Sequence, residues 1–110
     1  MKKVKPLRYP IKQWQINLLV DRVLGYGYEN RISGPEIAER IGMEPYTYMG
    51  LLVNAARHQG YLVGSRDGEG YWLIETKEEL ADTIGLLSGR IKGTQSTIAA
   101  LKRAGRKAGL

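Results

Sequence analysis

The residue types that usually carry catalysis are almost missing from this chain of 110 residues. Cysteine is absent and His58 is the only histidine. That inventory excludes thiol nucleophiles, disulfide frameworks and zinc sites of sulfur and imidazole, and any Ser-His-Asp arrangement would have to use His58. No enzyme, metal or cofactor is expected. The chemistry that remains is electrostatic. Seventeen lysines and arginines face eleven acids, a net charge of +6. Nine of these bases gather at two ends that carry no acid: Lys2, Lys3, Lys5, Arg8 and Lys12 in residues 1–12, and Lys102, Arg103, Arg106 and Lys107 in residues 102–110. Residues 13–101 hold eight bases against all eleven acids, a net of −3. Two basic arms are what a phosphate backbone attracts. Solvated ends that keep a small protein soluble are the ordinary alternative.

Composition points to one soluble globular domain: 43% of residues are hydrophobic and 25% charged. No apolar run approaches the roughly 18 residues of a membrane span, and Pro6 and Pro10 interrupt the basic start where a leader would need an apolar stretch. The expected location is cytoplasmic, without a membrane partner.

Periodicity divides the chain into elements. Trp14, Ile16, Leu19, Val20, Val23 and Leu24 recur at helical spacing from about Gln13 to Gly25, opposite a polar face of Asn17, Asp21 and Arg22. Gly25-Tyr26-Gly27-Tyr28 ends this helix, its tyrosines read as a lid over the core. Ser33 and Glu36 form an S-x-x-E capping box with Pro35 in the first turn, and Ile37, Ala38 and Ile41 give a short second helix its buried face, as far as Gly42. Pro45 can open a third helix that runs to about Gln59 before Gly60. In it Met49, Leu52, Val53 and Ala56 face inward, and Thr47, Gly50, Asn54 and Arg57 outward. From Tyr61 the period becomes two: residues 61–65, a polar tip over residues 66–70 and residues 71–74 predict a hairpin. Thr76 and Glu79 form a second capping box, opening a helix to about Ala104. The fold class is therefore mainly α with a small β-hairpin. It divides into a basic arm over residues 1–12, a compact domain over 13–75, a long helix over 76–104 and a basic tail over 105–110.

Helix, helix, tight turn, helix and two-stranded ribbon is the order of a winged helix-turn-helix domain. The segment Ser33-Gly34-Pro35-Glu36-Ile37-Ala38-Glu39-Arg40-Ile41-Gly42-Met43, the Gly60-Tyr61 stop and Gly68-Glu69-Gly70-Tyr71-Trp72-Leu73 resemble the DNA-binding domain of the biotin operon repressor group. The likeness covers about residues 14–74 and does not extend to a ligase domain, so no biotin chemistry is implied. The remainder looks like the tail of small phage and prophage winged-helix proteins. The resemblance implies double-stranded DNA as partner, with the third helix in the major groove. Tyr46 and Thr47 would then reach phosphates or a thymine methyl, Asn54 an adenine edge, and Arg57 a guanine or a phosphate. Gly50 would allow close approach of the helix backbone, Arg66 on the wing would enter the minor groove or meet phosphate, and Lys2, Lys3 and Lys5 would hold the backbone.

This chain departs from the family where the third helix begins. Glu44-Pro45-Tyr46 stands in place of a Ser or Thr followed by Arg, while Glu44, Asp67 and Glu69 would repel phosphate. One copy is therefore expected to bind weakly, since affinity scales with the charges neutralised. Tyr46 and Tyr48 could equally pack on the neighbouring helix, and a rival reading is a protein-interaction module on the same scaffold, whose tyrosine-rich face or glycine-lined helix docks on a replication or transcription protein.

Doubling would compensate. Leu80, Ile84, Leu87, Ile91, Thr94, Ile98 and Leu101 are spaced four and three apart without a break. Isoleucines at a with leucines at most d positions is the pattern of a two-stranded coil, favouring parallel pairing. A homodimer through this helix is expected. Gly85, Gly89 and Gly93 each cost about 1 kcal/mol in a helix interior, so the helix needs packing to persist. Folding back on its own domain is the alternative cover. The e and g positions lack paired opposite charges, which leaves parallel and antiparallel pairing both open.

Overall fold

The computed structural model describes residues 11–44 and 48–110. The fold is mainly helical, with a two-stranded antiparallel hairpin followed by a long final helix. Its elements are α1 (Gln13–Leu18), α2 (Gly34–Ile41), α3 (Met49–His58), β1 (Val63–Arg66), β2 (Gly70–Leu73) and α4 (Lys77–Lys107). The arrangement is consistent with winged-helix topology.

Local chemistry accounts for most boundaries. Helix α1 begins where the Lys12 N–H donates to Gln15 Oε1 at 2.8 Å, and it continues as a wider π turn over Leu19–Val23. The Leu24 N–H closes that turn on the Leu19 carbonyl at 2.9 Å. The wide turn lets Leu19 and Val20, then Val23 and Leu24, all point inward. It also ends the first helix before the expected Gly25, because Leu24 is already extended. Ser33 Oγ caps α2 by accepting from the Glu36 N–H at 3.3 Å, whereas the Glu36 carboxylate turns to Arg40 at 2.5 Å. Only half of that capping box is formed.

Three boundaries differ from expectation. Helix α3 starts at Met49 rather than Pro45, because Tyr48 is extended and no helical turn passes through it. Strand β1 starts at Val63 and pairs through Arg66 with Gly70, which leaves a three-residue tip. Within it Gly68 takes a φ of +77° and the Glu69 N–H reaches the Arg66 carbonyl at 3.0 Å, a turn needing a left-handed third residue. Helix α4 runs through Gly105 into the segment expected as a tail, and stops where the Leu110 N–H returns to the Gly105 carbonyl at 2.9 Å.

The core lies where α1, α2, α3 and the hairpin meet, and Leu19, Ile37, Leu52, Val53 and Val63 are fully buried there. Reciprocal amide bonds between Gln13 and Gln59, 3.0 and 2.7 Å, tie the start of α1 to the end of α3. The free edge of β2 is covered as well. Ile32 and Tyr71 exchange both backbone bonds at 2.9 Å, and Leu73 pairs with the Gly25–Gly27 turn. Tyr28 stacks edge-on against buried Trp72, centroids 5.1 Å apart. Tyr26 instead points outward, so one tyrosine of the pair acts as the expected lid.

Helix α4 docks on the hairpin by its first turns alone. Thr76 Oγ1 caps it from the Glu79 N–H at 3.1 Å. The Glu79 carboxylate accepts from Tyr28 N–H at 2.9 Å and Glu75 N–H at 2.8 Å, joining the helix start to the lid. Buried Thr83 accepts from the Ser65 N–H at 3.4 Å. Beyond Arg90 nearly every side chain is exposed. Among the described residues no helix is long and apolar enough to cross a membrane.

Candidate nucleic-acid interface

An open cleft of about 410 Å³ lies between the start of α2, the outer side of α3 and the wing. Three arginines from three different elements line it: Arg57 of α3, Arg66 of β1 and Arg90 of α4. Such a convergence of guanidinium groups suits phosphate oxygens, which they can grip through two parallel hydrogen bonds.

Each arginine is held differently. Arg57 is half-buried, its Nε donating to the Val63 carbonyl and its Nη2 to Ser65 Oγ, both at 2.9 Å. Burial lowers its pKa from the ordinary arginine value, Tyr71 opposing that and nearby Arg90 adding to it. The same burial raises the Tyr71 phenol above its usual range, helped by Tyr48 and opposed by Arg57. Arg57 thus fastens α3 to the wing and turns toward the cleft wall, where the spacing alone had it pointing freely outward. Arg66 is exposed at the wing, 3.6 Å from Glu69 and 5.4 Å from the centre of the Tyr28 ring. Arg90 bonds Asp67 at the wing tip.

These contacts cancel the negative charge expected of the wing tip, Arg66 and Arg90 balancing its two acids. Asp67 is taken up by Arg90, and Glu69 by Arg66 and by the Tyr28 hydroxyl, which donates to it. The two acids are neutralised within the fold. Both ion pairs are solvent-exposed, so they add little to stability; their effect is on the field in the cleft.

The remaining sequence candidates divide clearly. Asn54 is exposed on α3. Gly50 is not bare backbone open to solvent, because the Tyr48 ring lies over it: an added Cβ would meet ring atoms at 2.7 to 2.9 Å. The small residue there makes room for a tyrosine that is itself 69% exposed. Tyr46, Thr47, Lys2, Lys3 and Lys5 lie outside the described residues. In the heptad seam, Leu80 and Leu87 are half-covered by their own domain, lining an apolar groove with Leu62, Val63 and Ile74. Ile84, Ile91, Thr94, Ile98 and Leu101 are exposed. Of the two covers considered for helix α4, folding back on its own domain is formed over the first turns, and the helix beyond is exposed.

Arg90 and Tyr48 belong to the cleft and were not among its sequence candidates. Arg90 reaches the wing only because α4 folds back on β1, and no local pattern announces that. Tyr48 stands directly before a glycine-containing first turn, a weak signal for a ring lying across it. No protein-family model, curated protein or solved structure matches the chain.

Proposed function

We propose that this is a dimeric DNA-binding protein of winged-helix type, a small transcriptional regulator or phage-type replication accessory factor. The observation that carries the reading is the cleft beside α3, to which Arg57, Arg66 and Arg90 converge while the wing acids are internally paired. A sugar-phosphate strand fits between α3 and the wing, its oxygens facing the three guanidinium groups. Asn54 on the exposed side of α3 is the residue to read a base edge, with the paired oxygen and amine that adenine requires. The basic ends, including Lys2, Lys3 and Lys5, add contacts to the backbone. The likeness of residues 14–74 to the DNA-binding domain of the biotin operon repressor group supports the same assignment.

Titration of random duplex at several salt concentrations tests it. Binding should weaken steeply between about 50 and 200 mM salt, the logarithm of affinity falling by about 0.9 per phosphate neutralised for each decade of salt. No binding at low salt, or binding indifferent to salt, overturns the proposal.

Tyr48 favours a second reading. An aromatic ring so exposed just before α3, in a chain whose residues 13–101 carry net −3, suits docking to a protein. Asn54→Ala with Arg66→Ala separates the two readings: a DNA reader loses affinity or specificity, and a docking module keeps its partner.

A further inference from the structure

The unpartnered part of α4 carries information about its own cover. Ile84, Ile91, Ile98 and Leu101 are 48–67% exposed on one side of the helix, and they continue directly from half-covered Leu80 and Leu87. At the start of that stripe the domain leaves an apolar groove of about 240 Å³, walled by Tyr61, Leu62 and Ile74 on one side and Leu80, Ile84 and Leu87 on the other. We infer that α4 pairs antiparallel with α4 of a second copy, the basic end of each lying in the apolar groove and beside the acidic first turns of the other. The inference rests on the dimeric reading above and adds to it an orientation and a register.

Any heptad seam can be reversed, so the apolar pattern does not choose an orientation by itself. Charge does. Glu75, Glu78, Glu79 and Asp82 cluster at the start of α4, and no acid follows Asp82 in the sequence. The far end carries Lys102, Arg103, Arg106 and Lys107. Parallel pairing sets four bases beside four bases and acids beside acids, whereas reversal sets each acidic cluster beside a basic one. Apart from Lys102 at an e position, these charges lie at the outward b, c and f positions, so across the pair they act only as a long-range field, largely screened beyond about 8 Å and felt most at low salt. Opposed helix dipoles add in the same sense.

The register follows from the a-to-d matching that antiparallel coils use. With the axis between residues 92 and 93, Ile84 meets the Leu101 position of the second copy, Leu87 meets Ile98, and Ile91 meets Thr94. Leu80, which the domain half-covers, meets Gly105, which has no side chain to clash and where even an added Cβ would meet no other side chain within 4 Å. The same register brings Glu78 level with Lys107, Glu79 with Arg106 and Asp82 with Arg103. Parallel pairing would instead crowd both domains at one end of the coil and leave both basic ends facing each other. In the antiparallel pair the two Thr83 positions stand about 28 Å apart along the coil, at 1.5 Å per residue. That separation approaches the roughly 34 Å between successive major-groove half-sites.

The absence of cysteine makes the test direct. Ile84→Cys and Leu101→Cys are prepared as separate chains, each checked for dimer mass by light scattering, then oxidised or bridged with a short bismaleimide alone and as a mixture. The expected result is a covalent dimer from the mixture and none from either chain alone. Leu87→Cys with Ile98→Cys repeats the measurement at an independent layer. Dimers covalently joined within one variant overturn the orientation and keep the dimer. Dimer mass with no cross-link at either layer overturns the register. A lone-chain mass at every concentration overturns the dimeric reading itself.

Discussion

The domain over residues 13–74 and helix α4 are stabilised by opposite means. In the domain, side chains from three helices and a strand bury one another until Leu19 and Leu52 lose all contact with water. In α4, 31 residues long, only Thr83 is buried. Three interior glycines, Gly85, Gly89 and Gly93, weaken the helix further, and none has a neighbour that would explain it by packing. The domain can order itself; the far half of α4 depends on what covers it. Under the proposed function that contrast would give the two regions different work, a rigid surface to read and an adaptable arm to join.

Substitution within the core breaks the domain and leaves the arm's chemistry alone. Leu52→Ala removes a fully buried side chain and is expected to cost about 2–5 kcal/mol, read as a lower urea midpoint at unchanged slope. Ile98→Ala, by contrast, should hardly move the unfolding of a single chain and should shift the concentration at which chains associate. If both variants change single-chain stability alike, α4 is part of the core and the contrast fails.

Arg57 joins the two themes, lying in the cleft yet tied into the fold. Arg57→Ala leaves the Val63 carbonyl and Ser65 hydroxyl without their partner, an expected loss of about 1–3 kcal/mol in denaturant unfolding. Arg66→Ala sits at the exposed wing and should leave the denaturant midpoint nearly unchanged while weakening salt-dependent DNA binding. Equal loss of stability in both variants would show that Arg66 also braces the wing.

Arg57 also marks where sequence reasoning reaches its limit. Its spacing from Gly50 and Asn54 identifies the side of α3 on which it emerges, but a long side chain can fold toward whatever strand passes nearby. The approach of β1 is set by tertiary packing. For the same reason the Arg90–Asp67 and Glu79–Tyr28 contacts, spanning 23 and 51 residues, had no local signature. What depended on neighbours within one turn was legible: the Ser33 and Thr76 caps, the buried stripes of α2 and α3, the hairpin and the helical course of α4. Boundaries were less so. Glycine permits a helix to end without requiring it, which is why α4 passes Gly105 and stops beside Gly109.

The glycines of α4 offer a way to sharpen the contrast. Gly89→Ala meets no atom within 4 Å and should gain about 1 kcal/mol of helix stability, seen as increased helical circular dichroism and a higher Tm. The same change in a well-packed region would clash, since an added Cβ at Gly64 would come within 2.5 Å of the Trp72 ring. Stabilisation at Gly89 together with loss at Gly64 is the pattern expected of a free helix beside a filled core.

The smallest effect lies where the two regions meet. Hydrogen bonds from the Tyr28 N–H first, and then the Glu75 N–H, hold the Glu79 carboxylate below its ordinary pKa of 4.5. A depressed pKa in the folded chain means that the unfolded chain takes up the proton first. The contribution is therefore fully present above about pH 4.5 and is lost as pH falls through the folded value. Glu79 is half-exposed, so solvent screening should keep the effect modest. Wild type and Glu79→Gln should differ in Tm at pH 6, and that difference should shrink on acidification below pH 4.5 as the wild-type carboxyl becomes neutral. A difference that stays constant from pH 6 to pH 3 would mean that the charge on Glu79 adds nothing to the bonds joining α4 to the Tyr28 turn. The docking of the helix start would then rest on the Thr76 cap and buried Thr83.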